Sequence, residues 1–333
     1  MKKKIFKVKD SFMILATITV VTTACSNHYN PIEIEKSITI KGTALNPEGI
    51  EYNKNNHTFL LSSLNAMPIT QVNLDGTHRA FTSGEKFPLS TAGLQIDYKR
   101  NQLLVAGFNG TEIMDNDPKT KGASFLRVYN LTTGLLEKEI NLSSLAPEAS
   151  AYFANDIAVD SEGNVYISDW YANLIYKVDT KGEATVFWKN NSGIEGGPNG
   201  LDFHSDGYLL VSVIKVNDKG IYEKHGLVKI PLNNPKLATN VKISNSKFAG
   251  FDGMVIDDKG AVIGVTNNGK TGGGNMLIEL SSKDDWKSAE VTHAKAITPS
   301  TTVALTEDNQ NYVINQDFSD NLKKTWTIEQ VKF

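Results

Sequence analysis

Four residues of this 333-residue chain carry oxygen-donor side chains and hold the same place in a repeated string: Glu48, Asn155, Asn199 and Asp252. Each stands just ahead of a short apolar run, as in Asn155-Asp156-Ile157-Ala158-Val159 and Asn199-Gly200-Leu201-Asp202-Phe203. Carboxylates and amide carbonyls are hard donors, and a calcium-like cation takes about six to eight such oxygens, water included. None of the six histidines and not the single cysteine, Cys25, shares this place. The pattern therefore points to oxygen ligation rather than to a thiolate or imidazole zinc site. Glu48, Asn199 and Asp252 are the candidate metal ligands, and Asn155 is either a fourth ligand or a group that holds substrate. The cofactor expected is one divalent cation, calcium first, with zinc, magnesium and manganese open.

Taken singly, Asn199-Gly200 and Asp252-Gly253 read as turn pairs, because Asn-Gly and Asp-Gly are strong chain-bending signals. Glu48-Gly49 is not a common turn pair. All four groups also share one phase, and a second turn, Ser161-Glu162-Gly163-Asn164 and its equivalents, follows about six residues later. Jointly they favour a site.

The elements that must position these groups are strands. After residue 36 almost every apolar run is short, rich in Val, Ile, Leu and Tyr, and bounded by Gly, Asn or Asp, which is strand-and-turn text. From Asn155 four antiparallel runs follow one another as a meander, and the same sentence recurs from Asn199 and Asp252, and less perfectly from Glu48, Ala92 and Thr301. The starts lie 44, 63, 44, 53 and 49 residues apart, a period that suits four-stranded propeller blades. The expected fold is all-β: a six-bladed β-propeller over residues 37–333. Its last blade lacks a strand that Ser37-Ile38-Thr39-Ile40-Lys41 would supply, closing the ring and removing a sheet edge.

In such a ring the first strand of each blade lines the central channel, and the second returns to the same mouth. The ends of the second strands, Phe108 with Asn109, Asp169 with Trp170, Ser212, Asn267 with Asn268, and Gln316, are then expected near substrate. Asn109, Asn155, Asp169 and Asn267 are the candidate substrate-binding groups. Trp170 has an equal claim to packing between blades.

The strings Pro47-Glu48-Gly49, Ala154-Asn155-Asp156, Pro198-Asn199-Gly200 and Phe251-Asp252-Gly253, in that order, resemble the SMP-30, gluconolactonase and related lactonase propellers over about residues 45 to 315. The resemblance implies a metal-dependent hydrolase that opens a lactone or related ester, with Glu48, Asn199 and Asp252 on one divalent cation, Asn155 on metal or substrate, and Asp252 as the catalytic acid or base. Two residues depart from the family pattern: Tyr52 where a tryptophan is usual, and Ile157 where sugar-lactonase members often have Gly. The alternative is a non-catalytic propeller of the NHL or YncE-like kind that binds a protein, glycan or peptide, for which the ring residues are free to vary.

The first residues have another purpose. Met1-Lys2-Lys3-Lys4, with Lys7 and Lys9, precedes an uncharged run from Phe12 to Ala24, the layout of an export signal and shorter than a membrane span. Residues 1–24 are read as a signal peptide and 25–36 as a tether. Cys25, directly after the apolar run, resembles the acylated cysteine of a bacterial lipoprotein. The expected protein is exported, anchored to the membrane through that lipid only, facing the periplasm or exterior, and monomeric. The chain is formally −3 and more acidic once the lysine-rich leader is gone, which argues against a nucleic-acid partner. A small-molecule lactone or ester is the partner expected. No G-x-S-x-G elbow, Walker loop or H-E-x-x-H string occurs in the sequence.

Overall fold

The computed structural model describes residues 34–109, 122–217, 222–244, 248–268, 274–316 and 323–333, with backbone alone at 222, 267 and 268. The signal segment, Cys25 and all but residues 34–36 of the tether lie outside them.

After β1 (Ser37–Lys41) the chain runs through successive antiparallel meanders. They are β2 (Ile50–Asn53), β3 (Thr58–Leu61), β4 (Thr70–Val72) and β5 (His78–Ala80); β6 (Ser90–Asp97), β7 (Gln102–Asn109), β8 (Ala123–Asn130) and β9 (Leu136–Asn141); and β10 (Ala154–Val159), β11 (Val165–Asp169), β12 (Leu174–Val178) and β13 (Ala184–Lys189). There follow β14 (Gly197–His204), β15 (Tyr208–Val216), β16 (Tyr222–Pro231) and β17 (Thr239–Ile243); β18 (Met254–Ile256), β19 (Val262–Asn268), β20 (Gly274–Ser281) and β21 (Ser288–Ala296); and β22 (Ser300–Leu305), β23 (Asn311–Asn315) and β24 (Thr325–Val331). The meanders from β2, β6 and β10 are separate four-stranded sheets, whereas those from β14 and β18 join into one eight-stranded sheet. The joint is a short parallel pairing of Lys242 and Ile243 with Ser288 and Ala289.

The last sheet is completed from the other end of the chain. Strand β1 pairs antiparallel with β24, setting Ile38 opposite Ile328 and Ile40 opposite Trp326, and all four side chains are buried. The Trp326 indole N–H donates to Thr43 O at 3.0 Å. The first strands β2, β6, β10, β14, β18 and β22 each touch the next, and β22 touches β2, so the sheets stand in a closed ring.

The core lies between neighbouring sheets, and strand periodicity explains how one run feeds two interfaces. Side chains alternate across a strand. In β15, Leu209, Val211 and Val213 pack toward Tyr166, Ile175 and Trp188 of the preceding sheet. Leu210 packs instead toward Phe251, Met254 and Ile278 of the following meander. Burial on both faces is why the middle strands read as nearly unbroken apolar runs.

The turn between β10 and β11 is held by an aspartate. Asp160 Oδ1 accepts the backbone N–H groups of Glu162, Gly163 and Asn164 at 2.8 to 3.0 Å, and Gly163 supplies the positive φ of 97° that the turn demands.

Candidate functional site

The four candidate residues converge at one end of the ring. Asn155 Nδ2 donates to Asn199 Oδ1 at 2.7 Å across neighbouring sheets. The carboxyl groups of Glu48 and Asp252 are close enough to repel one another. All four side chains are buried, between 3% and 9% exposed.

Local backbone geometry turns these side chains inward. The ladder of β10 with β11 shifts register between Ala154 and Ile157, around Asn155 and Asp156. The same irregularity spans Asn199 and Gly200 in β14, Ala92 and Gly93 in β6, and Thr301 and Thr302 in β22. A bulge releases its residue from ladder pairing and re-aims the side chain, which accounts for Asn155 and Asn199, while Glu48 and Asp252 stand in the segments just ahead of β2 and β18.

At Gly49, Gly93 and Gly200 the glycine after the ring residue serves packing. Gly49, Gly93, Gly200 and Gly253 are absent from the positive-φ residues. A Cβ at Gly49 would fall 2.3 Å from Ala92 O, at Gly93 2.5 Å from Asn155 O, and at Gly200 2.3 Å from Asp252 O. Gly49, Gly93 and Gly200 therefore let one inner strand close on the ring residue of the next, which answers the turn-pair reading of Asn199-Gly200, whereas Asp252 and Gly253 do lie in a bend.

Hydroxyl groups fasten the sheets at this end. Ser62 Oγ accepts from Gly49 N at 2.6 Å, and Ser168 Oγ donates to Asn199 O at 2.7 Å. Ser212 Oγ accepts from Phe251 N at 2.8 Å, beside Asp252. The ring closes through Thr301, whose hydroxyl donates to Glu48 O at 2.5 Å, and through Gln316, whose amide donates to Pro47 O at 2.5 Å. Ser212 and Gln316, expected beside substrate, thus hold backbone in buried seams. Ala92 and Thr301 are the ring positions without a carboxylate or amide.

The expected second-strand contacts fare unequally. Asp169 is fully buried. Its Oδ1 accepts from Phe153 N at 2.8 Å and Ala172 N at 2.9 Å, and its Oδ2 accepts from the Ser124 hydroxyl at 2.8 Å. Both oxygens are engaged by protein donors: a carboxylate in an enclosed position must find donors, and here it anchors the loops. Asn109 is 1% exposed at the end of β7, in register with Ala123, inside the sheet. Asn267 of β19 pairs by its backbone with Asn275 of β20, and its side chain lies outside the described residues.

A second tier of acids, missed in the sequence, lines the channel beyond the ring. Asp156 Oδ2 accepts from Leu201 N at 3.0 Å on the next inner strand, and Asp202 Oδ2 does the same with Ile256 N at 2.7 Å. Glu51 faces both charges. Glu51, Gln95 and Asp202 each stand three residues after a ring position, and that phase was the available signal. A cavity of about 20 Å³ lies between Glu48, Glu51, Gln95, Asn155, Asp156 and Thr302, room for about one water molecule. Among the described residues no Lys, Arg or His lines it.

Acids enclosed without a basic partner resist ionisation. Burial, then repulsion from Asp252 and Asp156, pushes the Glu48 carboxyl well above its usual range. Burial also lifts Asp156 to about 8 against the opposing pull of the Leu201 and Ile157 N–H groups, and Asp202 to about 6. Glu51 rises well above its usual range by burial and by the charges of Asp202 and Asp156. Among the described residues no three His, Cys, Asp or Glu side chains form a metal cluster by themselves, so amide oxygens must complete any cation site here. The mixed set of Glu48, Asp252 and the Asn155–Asn199 pair fits a hard divalent cation: two carboxyl groups that repel, two amide oxygens, and no competing ammonium or guanidinium among the described residues of the cavity wall.

No protein-family model matches the chain, and no curated protein matches its sequence. Solved structures do. The major Malassezia sympodialis allergen Mala s 1 superposes with a TM-score of 0.70 at 17% identity, over 90% of this chain and 97% of that one. A gluconolactonase from Xanthomonas campestris gives 0.57 at 13%, over 89% of each chain. The calcium-binding protein regucalcin from Agrobacterium tumefaciens gives 0.54 at 18%, over 85% of this chain and 89% of that one. At these identities the likeness establishes an all-β propeller fold.

Proposed function

We propose that this chain is a divalent-metal-dependent hydrolase of lactones or related esters, built on a six-bladed propeller in which the eight-stranded sheet is two blades joined at their outer edges. The observation that carries the reading is the convergence of Glu48, Asp252, Asn155 and Asn199 at one channel mouth, with no basic residue among the described residues of the adjoining cavity wall. The gluconolactonase and regucalcin likenesses support it through a shared fold.

Glu48, Asn199 and Asp252 would hold the cation, with Asn155 holding metal or substrate. A bound divalent cation would polarise the lactone carbonyl and stabilise negative charge on its oxygen. The Asn155 amide N–H fixes the orientation of the Asn199 carbonyl oxygen. Asp252 would take the proton from the attacking water and return it to the leaving ring oxygen, so that water adds to the carbonyl carbon and the ring C–O bond breaks without net proton change. The buried mouth limits competing water, which strengthens each of these charge interactions.

The lysine-rich start, the apolar run to Ala24 and Cys25 support export and a lipid anchor on the outer side of the membrane. The working form is read as a monomer.

The test is metal content and lactone hydrolysis of the form that begins at Ser26, beside Glu48→Gln and Asp252→Ala. Bound metal and turnover in the wild type, both lost in the variants, is the expected result. A folded wild type that binds no metal and leaves a panel of lactones and aryl esters intact overturns the reading and favours the non-catalytic binding propeller.

A further inference from the structure

An aromatic group stands at the mouth beside the amide pair. Phe153 lies two residues ahead of Asn155, and Trp170 and Tyr171 follow β11 directly. Trp170 and Tyr171 stack with ring centroids 5.2 Å apart and 19° between planes. Phe153 meets them edge-on at 6.1 and 5.7 Å, and Phe108 stacks on Phe153 at 4.0 Å.

The group is fixed at three points. The Trp170 indole N–H donates to Ile214 O at 3.1 Å, and its ring lies so close to Gly197 that a Cβ there would fall 2.5 Å from Cδ1. Asp169 Oδ1 grips the backbone of Phe153 and of Ala172, on either side of the group. Gly197 is two residues ahead of Asn199 just as Phe153 is two ahead of Asn155. The aromatic rings therefore bridge the mouth ends of the two strands whose amides bond to each other at 2.7 Å.

Most of this group is buried, but Tyr171 is 41% exposed. Leu64 and Ala92 pack with Phe108, Phe153 and Trp170, and Ala92 is the ring position that carries no polar atom. A polyhydroxylated ring needs paired donors and acceptors along its rim, whereas this side of the mouth offers carbon and an aromatic face.

We propose that the Trp170–Tyr171 pair is the substrate's ring-binding wall, and that the substrate is an aryl lactone or aryl ester rather than a polyhydroxylated sugar lactone. The proposal rests on the lactone-hydrolase reading above. Trp170 is committed to the seam with Ile214, so Tyr171 is the residue to vary.

Kinetics with dihydrocoumarin, γ-butyrolactone and gluconolactone are compared for wild type, Tyr171→Ala and Tyr171→Phe. Tyr171→Ala should raise KM for dihydrocoumarin about tenfold, equivalent to about 1.4 kcal/mol and in the range of one aromatic contact. Its kcat should stay within about twofold, Tyr171→Phe should behave as wild type, and γ-butyrolactone should be handled alike by all three. Equal effects on every substrate, no effect on any, or a wild-type preference for gluconolactone overturns the proposal. Binding of β-tetralone, which has no ester bond to cut, is followed by tryptophan fluorescence and separates this proposal from the hydrolytic one. Weaker binding by Tyr171→Ala supports the wall even in a protein without turnover, and equal binding or none overturns it.

Discussion

Gly200→Ala isolates the contact that shapes the site. An ideal Cβ at Gly200 falls 2.3 Å from Asp252 O and 2.9 Å from Met254 Cγ. Since Cβ atoms essentially never approach closer than 3.0 Å, β14 and the Asp252 segment must part by about 0.7 Å. Overpacking of this kind costs about 1–3 kcal/mol, while loss of glycine's unfolded-state freedom returns about 0.4–1 kcal/mol where φ suits alanine, as it does here. The expected net loss is about 1–2 kcal/mol, read as a lower urea midpoint at unchanged m. Gly107→Ala is the control: its Cβ would meet first the Leu89 Cδ1 methyl at 3.0 Å, a side-chain end rather than backbone, so the loss should be smaller, no more than about 1 kcal/mol. Because the atom displaced by Gly200→Ala belongs to Asp252, divalent-cation affinity should fall with stability. If Gly200→Ala unfolds at the same urea concentration as Gly107→Ala and binds cation as the wild type does, the close-approach argument is refuted.

Acidity should stabilise the metal-free protein. The folded-state pKa values of Asp202, about 6, and Asp156, about 8, lie above the usual carboxylate value, so the folded state binds more protons, and its stability should fall as pH rises from about 4 through 8. For Asp202 alone the change is about 3 kcal/mol, and urea titrations that show a midpoint rising over this range without metal would contradict it. Calcium at about a hundred times its dissociation constant should restore about 2.7 kcal/mol at neutral pH, an effect that Glu48→Gln should abolish in a thermal-shift assay. Asp169→Ala, which leaves the Phe153 and Ala172 N–H groups and the Ser124 hydroxyl without their acceptor, should cost about 3 kcal/mol, and an unchanged unfolding midpoint would disprove its anchoring role. Removing residues 34–41 should strip β24 of its partner and expose a sheet edge, seen as aggregation in light scattering.

The strand pattern, the closing of the last sheet by Ser37–Lys41 and the phase of Glu48, Asn155, Asn199 and Asp252 were legible in the chain itself. These features follow from local rules: apolar runs of strand length, turn residues between them, and a repeat that places equivalent residues at equivalent strand ends. Tertiary structure decided what those rules do not reach. Whether Gly200 bends a turn or admits a neighbouring strand depends on an atom 52 positions away, Asp252 O. The donors that hold Asp169, Ser124, Phe153 and Ala172, come from three separate stretches of chain, so no local pattern announces them. The tier formed by Glu51, Asp156 and Asp202 arises because the ring brings distant acids into one narrow channel where water cannot screen them. Sequence determined which residues could meet, because period is a local property; their distances, partners and protonation were set by closure of the ring, because burial and charge are properties of the assembled fold.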